Sequence, residues 1–226
     1  MAGRADWAVQ CYRELLRISP DHEDVDQSLG IALSSWGRPQ EAIVHFQKAL
    51  RIKPDDAKTH YNLGLALARQ EKFDDAIKHF RHSLRINPGD AGAHINLGNV
   101  LKVKGMPNEA IKHFQSALRI RPDSAKTHYN LGITLAEQGD LEEAISHYQH
   151  ALLVNPDFAG AHENLGIALG MLAATYAEAG RLDEAIKTAS QAIASATAAE
   201  DEKLAGDLRR QVASYRQAVS PKKPSE

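Results

Sequence analysis

Four asparagines, Asn62, Asn96, Asn130 and Asn164, stand 34 residues apart. A carboxamide offers two donors and one acceptor, which complements a peptide main chain. A ladder of such groups would hold an extended segment by its backbone, whatever side chains the segment carries. Lys58, Tyr61, Arg69, Lys102, Lys126 and Tyr129 fall around the column and would select among side chains. Each neutral hydrogen bond nets only about 1 kcal/mol, so the chemistry needs several acting together. Histidine is the second candidate, with 11 residues. His79-Phe-Arg-His82 and His147-Tyr-Gln-His150 each set two imidazoles one helical turn apart, which supplies two metal ligands. No acidic or cysteine partner completes a clear site, and His45, His79, His113 and His147 recur because the unit recurs. No metal and no other cofactor is expected. The chain has no phosphate-binding glycine loop, no His-Glu-x-x-His and no nucleophile elbow. Cys11 has no histidine pattern around it and reads as a core residue. The expectation is a protein that is not an enzyme.

The elements that position these residues follow the same beat. Pro20, Pro54, Pro88, Pro122 and Pro156 are each 34 residues apart. Ala57-Lys-Thr-His-Tyr-Asn-Leu-Gly64 returns as Ala91-Gly-Ala-His-Ile-Asn-Leu-Gly98 and again as Ala125-Lys-Thr-His-Tyr-Asn-Leu-Gly132. A fixed period of this size marks a repeat array, whose units bury their apolar faces only by stacking. Within each unit a first helix opens after Asp56, Asp90 or Ser124, residues able to cap bare N–H groups. Gly37, Gly105 and Gly139 stand where that helix ends in a left-handed turn, and Glu71 fills the place in one unit at a strain cost. Pro39 and Pro107 suit the first position of the second helix. Asp140 followed by Glu143 reads as a capping box. Gly30, Gly64, Gly98, Gly132 and Gly166 would let the two helices approach closely.

The pattern Leu63-Gly64, Leu67, Ala76, Phe80, Ser83 and Pro88, repeated as Leu97-Gly98, Leu101, Ala110, Phe114, Ala117 and Pro122, resembles the tetratricopeptide repeat. The resemblance covers most of the chain. His60, His94, His128 and His162 depart from it, standing where that family often has Trp. It implies an all-α fold: a right-handed superhelix of αα-hairpins in which the first helices line a concave groove. The asparagine column would look into that groove. A column of this kind resembles the repeat arm of O-linked N-acetylglucosamine transferases, although no glycosyltransferase region is present here. Asparagine is also common at this place across the family. Some related co-chaperones grip a carboxylate tail with a fixed Lys, Asn and Arg set. Asn99 and Lys102 fit that set, but the matching basic residues in adjoining units are missing.

The expected organisation is a half repeat over 1–22, repeats over 23–56, 57–90, 91–124 and 125–158, an elongated hairpin over 159–198, a capping helix over 199–219 and a disordered tail over 220–226. The half repeat is either a cap or a piece of a longer array. A longer period of 68 lies beneath the short one, since Lys58-Thr59-His60-Tyr61 returns at Lys126-Thr127-His128-Tyr129 and Pro39 returns as Pro107. Binding chemistry should therefore alternate along the array. In the fifth unit Gly180 arrives seven residues late. Seven residues are nearly two turns, so a lengthened helix keeps its buried face. Leu204, Leu208, Val212 and Tyr215 form one stripe suited to sealing the stack.

A formal net charge of −2 argues against nucleic acid or a membrane as the partner. The single cysteine allows no internal disulfide. The expected partner is a protein or peptide and the expected location cytoplasmic. Two other readings remain: a substrate-recruiting arm of a larger enzyme, since Met1 falls inside a repeat, and self-association through Trp7 or the 159–198 hairpin.

Overall fold

A computed structural model describes residues 2–19 and 23–219. The described residues form twelve α-helices and no strand. Pro20 and the tail 220–226, expected to be disordered, lie outside the described residues. The chain divides into two compact units, Met1–Ile120 and Arg121–Glu226.

The first unit holds α1 (Ala2–Ile18), α2 (Glu23–Ser35), α3 (Pro39–Ile52), α4 (Ala57–Arg69), α5 (Phe73–Ile86), α6 (Ala91–Val103) and α7 (Pro107–Ile120). α2 pairs with α3, α4 with α5 and α6 with α7, and α1 packs on α2. The second unit holds α8 (Ala125–Glu137), α9 (Leu141–Val154), α10 (Ala159–Glu178), α11 (Leu182–Ala198) and α12 (Glu202–Val219). There α8 pairs with α9 and α10 with α11, while α12 packs on α11 and touches α10.

Local chemistry accounts for the boundaries. The side chains of Asp56, Asp90 and Ser124 accept from the backbone N–H of Thr59, Ala93 and Thr127, so α4, α6 and α8 each start on a satisfied cap. The expected box at Asp140 does not form: its side chain makes no capping bond. The first turn of α9 instead carries Glu142 and Glu143, whose charge suits a helix N-terminus without a local bond. Gly37, Gly105, Gly139 and Gly180 take positive φ between the paired helices. Glu71 does the same work at φ 57°, and Glu200 at φ 58° makes the turn between α11 and α12, a left-handed residue that the sequence did not announce.

The helix pairs close around one contact. Gly30, Gly64, Gly98 and Gly132 of the first helices face the rings of Phe46, Phe80, Phe114 and Tyr148 on the second. A Cβ on any of these glycines would lie 2.5–2.8 Å from a ring carbon. The three Phe rings have no exposure, and Leu29, Leu63 and Leu97 beside them have none either. Burying each ring contributes about 1.5–3 kcal/mol. The long hairpin uses small residues in place of the ring. Gly166 faces the backbone of Ala192 and Ala196, and Ala173, Ala185 and Ala189 are fully buried. Val212 of α12 joins Ala173 and Ala189 in one cluster.

At α1 the packing is incomplete. Val9 is buried, but Tyr12, at the place of Phe46 and Phe80, is only half-buried, and so is Cys11, expected in the core. Trp7 is 69% exposed and covers little of the stack.

Replacing Glu71 with glycine should stabilise the first unit by about 1 kcal/mol, because it removes the side-chain cost of a left-handed residue. The thermal midpoint read by circular dichroism should rise by about 2–4 °C. A fall would show that the Glu71 side chain contributes more than its backbone costs.

Candidate functional site

Asn62 and Asn96 lie on α4 and α6, neighbouring first helices of the first unit, and both are half-buried. They are not equivalent. Asn96 Nδ2 donates to Tyr61 Oη at 3.0 Å and to the Gly92 carbonyl at 2.9 Å. Asn62 makes no side-chain hydrogen bond among the described residues. The reason lies one repeat earlier, where Gln27 replaces the tyrosine and donates to Asp56 and Thr59 instead. In the second unit Asn164 Nδ2 donates to Tyr129 Oη at 3.0 Å. Asn130 also has a partner. The two Tyr–Asn bonds are 68 residues apart, matching the longer period of the sequence.

Packing fixes these tyrosines. The Tyr61 ring lies 6.0 Å from Phe80, and the Tyr129 ring lies 4.7 Å from Phe158 and 6.2 Å from Tyr148. Burial, with Asp90 second, raises the Tyr61 pKa above its ordinary value, so the hydroxyl stays protonated. A hydroxyl accepting from an asparagine keeps its own proton to donate.

The flanking charges differ in freedom. Lys58 and Lys126 are exposed on the first turns of α4 and α8. Arg69 Nη1 donates to the Ser34 carbonyl at 3.1 Å, which holds it against the C-terminal end of α2. Lys102 is half-buried with a partner of its own. Neither α4 nor α6 carries an acidic residue, whereas α8 ends on Glu137 and α10 carries Glu163.

The histidines pair in a way that spacing along one helix does not reveal. His60 Nδ1 meets His79 Nδ1 at 2.9 Å, from α4 to α5. His94 meets His113 at 2.9 Å, and His128 meets His147 at 3.0 Å. In the first full repeat Asp26 takes the inner place and its Oδ1 lies 2.7 Å from His45 Nδ1. His162 repeats the inner ring, but its Nδ1 is buried without a partner among the described residues. The signal was present as a 19-residue spacing repeated three times. Among the described residues no group of three or more His, Cys, Asp or Glu side chains is arranged to hold a metal ion. No described helix is long and apolar enough to cross a membrane.

The paired helices, the 34-residue beat and the ring-on-glycine contact define a helical repeat protein of the interaction-module class. The chain belongs to the tetratricopeptide repeat family: that family's model matches residues 55–123, 89–152 and 123–198, and a second TPR repeat model matches 30–71. Among solved structures it is similar to YrrB, a TPR protein with an unusual peptide-binding site, at 21% identity and a TM-score of 0.71, over 89% of this chain and 99% of that one. MamA is similar at 24% identity and a TM-score of 0.63, over 74% of this chain and 94% of that one. MamA from Desulfovibrio magneticus RS-1 is similar at 19% identity and a TM-score of 0.63, over 88% and 97%. At these identities the likeness shows the fold. None of the curated proteins matches the chain.

The Tyr61–Asn96 bond should be measurable as a coupling. Tyr61→Phe, Asn96→Ala and the double variant, compared by denaturant unfolding, should give a non-additive energy of about 0.5–1.5 kcal/mol. Additivity would show that the bond contributes nothing to stability.

Proposed function

We propose that this chain is a non-catalytic scaffold that binds an extended peptide segment of a partner protein along its first helices. The observation that carries the reading is one half-buried asparagine on each of the first helices α4, α6, α8 and α10, with Asn62 uncommitted and the Asn96 and Asn164 carboxamides locked in place by tyrosines. Locked groups are pre-organised, and pre-organisation lowers the entropic cost of capturing a flexible segment. Lys58, Tyr61, Arg69, Lys102, Lys126 and Tyr129 surround the column and read side chains. YrrB, similar in fold, is described as carrying a peptide-binding site, which supports the class of ligand. A protein or peptide partner, a cytoplasmic setting and no nucleic acid accord with the near-neutral charge.

A peptide-display library selected on the wild type should yield binders. Against a folded variant carrying Asn62→Ala, Asn96→Ala and Asn130→Ala, their affinity should fall at least roughly tenfold, the worth of one to two hydrogen bonds. Equal affinity for the variant would move the site off the asparagine column.

A second reading, self-association, is favoured by α1. Trp7, Cys11, Leu15 and Ile18 follow helical spacing down one stripe, and Trp7, Leu15 and Ile18 are exposed. A contiguous exposed apolar stripe marks an interaction surface. Sedimentation should give a dimer for the wild type and a monomer for Trp7→Ala. A monomer in both would end this reading for Trp7.

A further inference from the structure

Three repeats carry an imidazole pair whose proton count is fixed by geometry. The inner rings, His60, His94 and His128, each have Nε2 against a proline carbonyl: Pro54 at 2.8 Å, Pro88 at 3.2 Å and Pro122 at 3.0 Å. A carbonyl only accepts, so each inner Nε2 carries a proton and donates it. A neutral inner ring then has a bare Nδ1. The outer ring, His79, His113 or His147, must donate its own Nδ1–H across the 2.9–3.0 Å gap. Each pair is thus a chain of two hydrogen bonds from the second helix, through the first, to the turn before it. One added proton fits on the outer Nε2. A second would set N–H against N–H at 2.9 Å, which no hydrogen bond allows.

We propose that these pairs are an acid-sensitive latch: in the neutral form they close each helix hairpin onto the preceding proline turn, and uptake of protons releases it. The latch is confined to three repeats. In the first full repeat Asp26 replaces the inner ring, and a carboxylate accepts from a charged imidazole as well as from a neutral one. In the fifth, His162 has no outer partner among the described residues.

The surroundings set the direction. Around the first pair stand His82, stacked on His60 at 3.9 Å, and Asp55, Asp56, Asp75 and Lys78. Asp75 is engaged by Lys78 at 3.0 Å. Around the second stand Asp90, Arg119, Arg81 and Glu109, and Arg81 Nη2 engages Glu109 at 2.6 Å. Around the third stand His150, Asp123 and Glu143, with Glu143 Oε1 3.9 Å from His147 Nε2. Burial outweighs these carboxylates. It pushes His79, His113 and His147 down to about 4, and it holds His60, His94 and His128 below the ordinary histidine value despite the proline carbonyls, which act the other way. The unfolded chain titrates near 6.5, so it takes up protons first as the pH falls. The stability supplied by neutral pairs is therefore complete above about pH 6.5 and is lost between there and about pH 4. An open cleft of about 500 Å³ beside His60, His79 and His82 gives water access to the first pair.

Thermal unfolding of the full chain, followed by circular dichroism between pH 7.5 and pH 5, tests the latch. The wild-type midpoint should fall by at least about 10 °C across that range. A variant carrying His60→Asp, His94→Asp and His128→Asp, which copies the Asp26–His45 arrangement, should change by under about 3 °C over the same range. A wild-type midpoint that stays constant, or a variant that falls as far, overturns the proposal. Should the variant not fold, ring-nitrogen shifts of the wild type decide the matter. At pH 5.5 the six paired rings should remain neutral, the inner ones protonated at Nε2 and the outer ones at Nδ1. Titration of these rings near 6.5 overturns it equally.

Discussion

The seat of an aromatic ring on a bare glycine governs the rest of this structure. Phe46, Phe80, Phe114 and Tyr148 lie so close to Gly30, Gly64, Gly98 and Gly132 that no side chain fits between. This contact fixes the separation of the paired helices within each repeat, and with it every distance across the pair. The inner and outer histidines meet at hydrogen-bonding distance because the helices carrying them are held at that separation. The same rings support Tyr61 and Tyr129, whose hydroxyls take the Asn96 and Asn164 amides. A buried core contact thus reaches the candidate binding face in two steps.

Charge adds a weaker layer with its own rhythm. In the first unit, Arg13 engages Glu41 at 3.1 Å and Arg81 engages Glu109 at 2.6 Å, each pair joining second helices of successive repeats. The intervening repeat has Gln47 where arginine would stand. These pairs are exposed, so each is worth at most about 1 kcal/mol. They follow the two-repeat period without creating it. The same period governs the third histidine, present as His82 and His150 and replaced by Ser116 between them. His82 and His150 stack on the inner rings of the first and third pairs at 3.9 and 5.2 Å.

Helices were legible in the sequence because their signals are local. A cap such as Asp56, a turn glycine such as Gly139 and a closing proline each act within a few residues, and periodicity made each signal readable several times over. The extended α10 was legible for the same reason: a delay of nearly two turns preserves the buried face. Interactions that cross between helices were not. The Asp140 box failed because a matching spacing does not oblige a side chain to turn toward the backbone. The left-handed Glu200 was hidden because nothing about glutamate announces that conformation. Cys11 was read into the core from a helix face that looks buried, yet its place is only half-buried, as are its equivalents His45, His79, His113 and His147 in the complete repeats. The Tyr–Asn bonds and imidazole pairs lie 35 and 19 residues apart, and only the packing of one helix on another makes those spacings contacts.

The difference between Asn62 and Asn96 bears on any ligand of the candidate face. A uniform asparagine ladder would present the same carboxamide at each step and could hold a segment in several registers. Here Asn96 has given its amide protons to Tyr61 and Gly92, so it can offer a ligand no more than its oxygen, while Asn62 retains both functions. An N–H of a bound main chain could be met at either carboxamide, whereas a ligand carbonyl could be met at Asn62 or at the Tyr61 hydroxyl, which keeps its proton. Donor and acceptor positions along an extended strand alternate in a fixed order. For a segment bound as proposed, the unequal polar groups of α4 and α6 would favour one register over its neighbour. These two helices also carry no acidic residue, which in the proposed mode would favour an acidic segment. On such a surface specificity would come from which polar groups the fold has already used, and at Asn96 and Asn164 the tyrosines have used one.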